Sequence, residues 1–241
     1  MRDATTPYDN RGAPWLFLAP LVLFAIIFLL LPLGFSIYLS FTRWNPLGTP
    51  SWVGLRQYEF LLTRDANFLR SLANTFVFAL GFVAIGGPLA LGLAFVFYRS
   101  RGKAVWRSIY FLPQLTNIVA VAYLWQFVLD DRYGVINRAL ATIGVRGPDW
   151  LSDPVMAMVS IILVMVWYDI GRNMLIFSAA LEAVDQEIYD AASLDGAGAW
   201  RTLRSITLPI IRPAFTFVTV TSFITGMGSF ALIMAMTAGG P

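Results

Sequence analysis

An all-α, polytopic membrane protein with five membrane-crossing helices is the fold class this sequence predicts, and three features carry that expectation. Hydrophobic residues make up 58% of the 241 and charged residues only 13%, against about a quarter charged in soluble domains. Such a chain cannot cover its apolar surface with polar groups, which excludes an ordinary soluble enzyme. Aromatic residues reach 15%, which excludes intrinsic disorder. The few charges fall between long charge-free stretches, and crossing a ~30 Å hydrocarbon core takes roughly 20 helical residues.

The first such stretch lies between Arg11 and Arg43, with an apolar run from Trp15 to Leu33. It is too long for a signal peptide, whose apolar region is roughly 7–15 residues. It is read as a retained helix after an N-terminal tail, residues 1–14. Residues 15–68 then form the first span and the segment that follows it, and residues 69–241 the main transmembrane domain. Ser71 to Tyr98 and Ser108 to Leu129 give the second and third spans. Pro154 to Tyr168 continues apolar beyond Asp169 and Arg172 to Leu181. An acid and a base three apart share a helix face and neutralise each other, so this is one span of about 25 residues with a polar break. The fifth span starts at Pro213, after which no charge occurs.

Orientation follows from Lys and Arg. Arg99, Arg101, Lys103 and Arg107 crowd one short connection without an acid, which places it in the cytoplasm together with the N-terminus and residues 182–212. Segments 43–70 and 130–154 are then external and are expected to carry short interfacial helices. Arg43, Arg56, Arg64 and Arg70 make the first of these a poor fit to the rule. Small residues recur at Gly86, Ala90 and Ala94, a spacing that lets another helix of the chain approach closely.

Several chemistries are excluded outright. The chain has no His and no Cys, which removes imidazole and thiolate metal sites and every catalytic device built on those groups; no cofactor and no catalytic residue is expected. The formal charge of +3 reflects charges flanking spans and not a nucleic-acid surface. Lys103 is the one lysine, and Phe97 stands where a phosphate-binding G-x-x-x-x-G-K would need its first glycine. Any ATP hydrolysis has to come from another chain.

The informative polar region is the loop 182–213. Ile188, Ala191, Ala192 and Asp195 fall at i, i+3, i+4 and i+7, which predicts a helix over Gln186–Leu194 with a stripe of small residues. Asp195-Gly196 ends it, glycine supplying a left-handed stop. A second helix restarts over Ala199–Ile206 with Ala199, Leu203 and Ile206 on one side, and Pro209 and Pro213 interrupt it. Small exposed side chains beside Glu187, Asp190 and Asp195 suit insertion into a partner's groove. The competing reading is an amphipathic helix covering lipid headgroups.

For a solute path the candidates are Trp167, Tyr168, Asp169, Arg172 and Asn173, because charged and amide groups at membrane depth are costly unless they face protein or water. Aromatic faces there could stack on a sugar ring. The alternative is that Asp169 and Arg172 pair and hold helices together. Thr219, Thr221, Ser222, Thr225 and Ser229 add a polar component to the fifth span.

Tyr189-Asp190-Ala191-Ala192-Ser193-Leu194-Asp195-Gly196-Ala197, then Trp200, then Ile206-Thr207-Leu208-Pro209 and Pro213, resemble the EAA loop of binding-protein-dependent ABC importer permeases, with Asp190 where the family usually has glutamate. Further segments resemble its carbohydrate-uptake branch, of the maltose- or glycerol-phosphate-system first-permease type. They are Ala19-Pro20, Leu39 to Asn45, Val53 to Tyr58, Phe111-Leu112-Pro113, Tyr133-Gly134 and Thr237 to Pro241. The resemblance implies the type-1 importer permease fold and a bacterial cytoplasmic-membrane location. It implies a second permease, two copies of an ATP-binding subunit and an external solute-binding protein as partners, and a sugar or related polyol as cargo. Ile188, Tyr189, Asp190, Ala191, Ala192, Asp195, Gly196, Trp200, Leu203 and Pro209 would form the ATPase-coupling surface. The family pattern also continues past the final Gly-Gly-Pro, so a sixth helix is expected beyond it. An ion-coupled secondary carrier is the alternative class; it gives no reason for the loop 186–213.

Overall fold

The computed structural model describes residues 13–45, 47–98 and 100–240. Most of the expected tail 1–14, together with Arg99 and Pro241, lies outside the described residues. Two compact units emerge, Met1–Ser71 and Leu72–Pro241.

In the first unit, α1 (Ala13–Ala25), a π-helical turn (Ile26–Leu30) and α2 (Leu31–Ser40) form one apolar helix. Pro32 lacks the N–H that an α-helical ladder needs, and the wide turn directly before it absorbs the ring. The helix ends where Ser40 Oγ donates to the Ile37 carbonyl (2.6 Å) and Thr42 Oγ1 to the Leu39 carbonyl (3.0 Å), satisfying last-turn acceptors that would otherwise be orphaned. A two-residue hairpin follows, β1 (Thr42–Arg43) antiparallel to β2 (Ser51–Trp52), and then α3 (Arg56–Thr63).

α4 (Ala66–Tyr98) leads into the second unit, where α8 (Pro154–Glu182) is the central element. Asp153 caps α8 by accepting from the Val155 and Met156 amides, and the helix runs unbroken through the polar break at Asp169 and Arg172. Around it pack α5 (Lys103–Phe111), α6 (Ile118–Val128), α12 (Arg212–Met227) and α13 (Phe230–Thr237). One core cluster joins Phe78 and Phe82 to Val121, Ile161, Met165 and Leu232; a second joins Ala90 and Ala94 to Met174, Phe177, Leu181 and Val218. Gly86, Ala90 and Ala94 therefore serve packing within the chain. Gly226 of α12 lies against Ala79 of α4, so close that an added Cβ would come within 2.9 Å of the Ala79 Cα. A short helix does occur in each segment expected to be external, α3 and α7 (Val135–Thr142).

Two expected spans are built differently. Among the described residues three helices are long and apolar enough to cross a membrane singly, and five spans result only if two bent pairs, Lys103–Leu115 with Ile118–Val128 and Ala199–Ile210 with Arg212–Met227, each count as one. Ser108 to Leu129 is not one helix: α5 passes into a 3-10 turn (Leu112–Leu115), the chain extends at Thr116, and α6 starts afresh at 95° to what precedes it. Pro113 in that turn cannot donate to an α-helical ladder, and Asn117 caps α6 by accepting from the Val119 amide at 2.8 Å. The fifth stretch also divides. α12 stops at Gly228, whose amide donates back to the Ile224 and Thr225 carbonyls, and α13 begins two residues later.

Candidate functional site

α9 (Gln186–Leu194) has the bounds its periodicity predicts, and its end shows why the chain turns there. Gly196 takes φ +72°. Its amide donates to the Ser193 carbonyl (3.1 Å) and the Ala197 amide to the Ala192 carbonyl (2.9 Å), the paired bonds of a Schellman stop. The restart runs further than expected, helical without a break from Ala199 to Ile210, but it is not uniformly α-helical. α10 (Ala199–Thr202) gives way to a π-helical turn (Leu203–Thr207) and then α11 (Leu208–Ile210). Pro209, without a donor of its own, stands one residue beyond the wide turn. At Ile211 the chain bends by 68° into α12, with Pro213 in its first turn.

The two halves are tied together. The Thr207 hydroxyl lies 3.3 Å from the Tyr189 hydroxyl and 3.3 Å from the Thr202 carbonyl oxygen. Tyr189 and Leu203 are half-buried, and both border a hollow of about 510 Å³ against Phe95 and Tyr98 of α4. Of the stripe expected to be exposed, Ile188, Ala191 and Asp195 do face outward, while Ala192 is buried; the aromatic Tyr189 is what anchors the helix inward. Asp190 is exposed and accepts from Gln186 Nε2 at 3.0 Å. Leu194 and Trp200 keep 88% and 71% of their surface open. Together they give the loop an exposed apolar surface, bordered by acids and fixed in place by the turn.

At the end of α8, immediately before the loop, Glu182 accepts from Lys103 Nζ (2.6 Å) and Arg107 (2.9 Å). Two of the cations of the short connection 99–107 are thus held on the helix that leads into the loop 186–213. Glu182 carried no signal in the sequence, since its partners are 79 and 75 residues away.

The other candidates meet deep in the second unit. Asp169 is 1% exposed and accepts from Gln114 Nε2 (3.1 Å), Arg172 (2.8 Å) and Asn173 Nδ2 (3.0 Å). Asn173, equally buried, also donates to Ser222 Oγ of α12 at 3.1 Å. The cluster therefore ties the break in the third span to α8 through Gln114 and α12 to α8 through Asn173. Trp167 remains exposed and stacks edge-on with Trp125, ring centres 5.4 Å apart. Tyr168 donates to the Thr116 carbonyl at 3.1 Å, on the extended link of the broken span. Gln114 was not singled out by sequence, and Ser222 only as part of the polar component of the fifth span, because only the fold brings them beside Asp169.

Comparison with known proteins agrees with this architecture. The family described as "Binding-protein-dependent transport system inner membrane component" matches residues 86–241, which include the whole loop. A probable starch degradation products transport system permease, AmyD of Thermoanaerobacterium thermosulfurigenes, is 34% identical over 231 residues, covering 94% of this chain and 77% of its own. The lactose transport system permease LacF of Rhizobium radiobacter is 34% identical, with 96% and 78% covered. The sn-glycerol-3-phosphate permease UgpA of Yersinia pseudotuberculosis is 33% identical, with 100% and 82% covered. A solved bacterial ABC transporter that imports the acidic polysaccharide alginate superposes with a TM-score of 0.81 at 25% identity, over 93% of this chain and 77% of that one. Together with the apolar helices and the coupling-type loop, these likenesses establish that the chain belongs to the family of binding-protein-dependent transport system inner membrane components.

Proposed function

We propose that this chain is the transmembrane pathway subunit of an ATP-driven importer for a sugar or related polyol, moved by an ATPase that docks on residues 186–213. One observation carries the coupling assignment. A rigid helix-turn-helix, closed by a Schellman stop and tied across by Tyr189 and Thr207, presents exposed Leu194 and Trp200 directly between α8 and α12. A partner that pushed on it would move the two helices that share the Asp169 cluster. The partners are a second permease, two ATP-binding subunits and an external solute-binding protein, within the bilayer. ATP hydrolysis belongs to those ATP-binding subunits and not to this chain. Within 167–173 the groups left open to a solute are Trp167, Tyr168 and Arg172, with Asp169 and Asn173 holding them in place. The family match across the loop favours an importer over an ion-coupled carrier.

Gly196→Leu tests the coupling role. A branched side chain in the left-handed region costs roughly 1–2 kcal/mol in the backbone alone, and relieving it reshapes the turn that carries Trp200. The expected variant is inserted normally and has lost most uptake. Wild-type rates of solute-stimulated ATP hydrolysis in the purified complex would remove the loop from the mechanism.

Sidedness is tested in intact cells, where a chain without cysteine gives a clean background. Ser152→Cys is expected to react with an impermeant thiol reagent and Ser100→Cys to stay silent. The reverse pattern would invert the topology.

A further inference from the structure

The four arginines of 43–70 fit poorly with an external segment, and the fold gives three of them a common place. Arg43, Arg56 and Arg64 line one hollow of about 460 Å³, together with Val53, Gln57, Glu59 and Phe60. Three guanidinium groups against one carboxylate leave the lining with an excess of positive charge. Among the described residues none of the three makes an ion pair; the pairs present involve Lys103, Arg107 and Arg172. The nearest acid in sequence, Asp65, is occupied in capping α4 through the amides of Asn67 and Phe68.

The hollow hangs directly from the end of the first span. The Phe41 carbonyl accepts from the Val53 and Gly54 amides at 2.9 and 3.0 Å, and the Thr42 carbonyl from Gln57 Nε2 at 2.7 Å. Aromatic rings surround this junction: Phe41 stacks on Trp52 with centres 5.6 Å apart and meets Tyr58 at 5.7 Å. Trp44 and Trp52 are exposed. Tryptophan and tyrosine collect at the level of lipid headgroups, so the arginines are held at that depth. A fork of guanidinium N–H donors matches phosphate oxygens in pairs, and Val53 and Phe60 offer an apolar side for the glycerol end of an acyl chain.

We propose that this hollow binds the phosphate headgroup of an anionic phospholipid from the leaflet at that end of the first span. Bound lipid would anchor the Met1–Ser71 unit at a fixed depth, and would account for arginines that otherwise disobey the charge bias.

The test uses the full chain, purified from membranes into mixed micelles of phosphatidylglycerol and phosphatidylcholine, with retained lipid counted by native mass spectrometry. Wild type is expected to retain phosphatidylglycerol in roughly tenfold preference, as befits several basic groups at a membrane surface. The triple variant R43Q/R56Q/R64Q is expected to lose that preference. E59Q, which removes the one acid and leaves the packing intact, is expected to increase it. Unchanged preference in both variants overturns the proposal. So does displacement of the lipid by millimolar sn-glycerol 3-phosphate or inorganic phosphate, which would assign the hollow to a soluble anion. Loss of solute-binding-protein docking in the triple variant, with lipid preference intact, would assign it to an acidic protein surface and overturn the lipid site equally.

Discussion

Asp169→Ala is expected to lower the unfolding midpoint of the purified protein by about 6–12 °C, at 2–4 °C per kcal/mol for a chain of this size. The carboxylate accepts three hydrogen bonds in a site that is 1% exposed. Its removal strands the Gln114 amide, takes one of two acceptors from Asn173 Nδ2, and leaves Arg172 without its counter-charge. Breaking a buried charge pair from one side costs about 3–5 kcal/mol. Arg172 is about one-third exposed and recovers some solvation, which places the loss near 3 kcal/mol. Replacing both partners, as Asp169→Leu with Arg172→Leu, leaves no uncompensated charge and should restore part of that loss. Thermal unfolding in lipid nanodiscs distinguishes the cases. A midpoint within a degree of wild type for Asp169→Ala would mean that the cluster does not hold the broken span on α8.

Gly171→Val should be damaging for a different reason. A Cβ built at Gly171 would run into the Tyr110 carbonyl group and lie 2.6 Å from the Phe111 amide nitrogen. These are backbone atoms of α5, which no rotamer change can move aside. Overpacking costs typically 1–3 kcal/mol, and with an immovable neighbour this site falls at the top of that range. α5 and α8 would separate at the C-terminal end of α5, away from the Glu182 clamp that joins them toward its start. Gly92→Ala is the matching control: its Cβ would meet nothing within 4 Å, and alanine improves helix propensity by roughly 0.8–1.0 kcal/mol. The yield of monodisperse protein after detergent extraction reads both, with Gly171→Val falling sharply and Gly92→Ala unchanged. Equal yields would contradict the close approach of α5 to α8.

What the sequence revealed and what it hid divide along physical lines. α9 and its stop at Gly196 were legible because helix period and left-handed glycine are local signals. α8 was legible as one span because Asp169 and Arg172 are three apart and neutralise each other. The break in the third span was not, since hydropathy does not register a Pro113 turn inside a charge-free stretch. The inward face of α9 was legible only in part: the stripe of Ile188, Ala191 and Asp195 is exposed as its small side chains imply, but Ala192 is buried and Tyr189 turns inward, because its ring has a hollow to enter and Thr207 to meet. The Asp169 cluster and the Glu182 clamp were invisible for want of range: Gln114 lies 55 residues from Asp169, and Lys103 lies 79 from Glu182.

The most direct test of the central claim, that this chain conducts solute while another chain's ATPase drives it through 186–213, is capture of its partners. Affinity-tagged chain, expressed with its neighbouring transport genes and extracted gently, should bring down two ATP-binding subunits and a second permease. Its ATP hydrolysis should rise when loaded solute-binding protein is added. Trp200→Asp, which places a charge on the exposed apolar surface of the loop, should release the ATP-binding subunits while keeping the second permease. Retention of both by Trp200→Asp, with stimulated hydrolysis at the wild-type rate, would contradict the account.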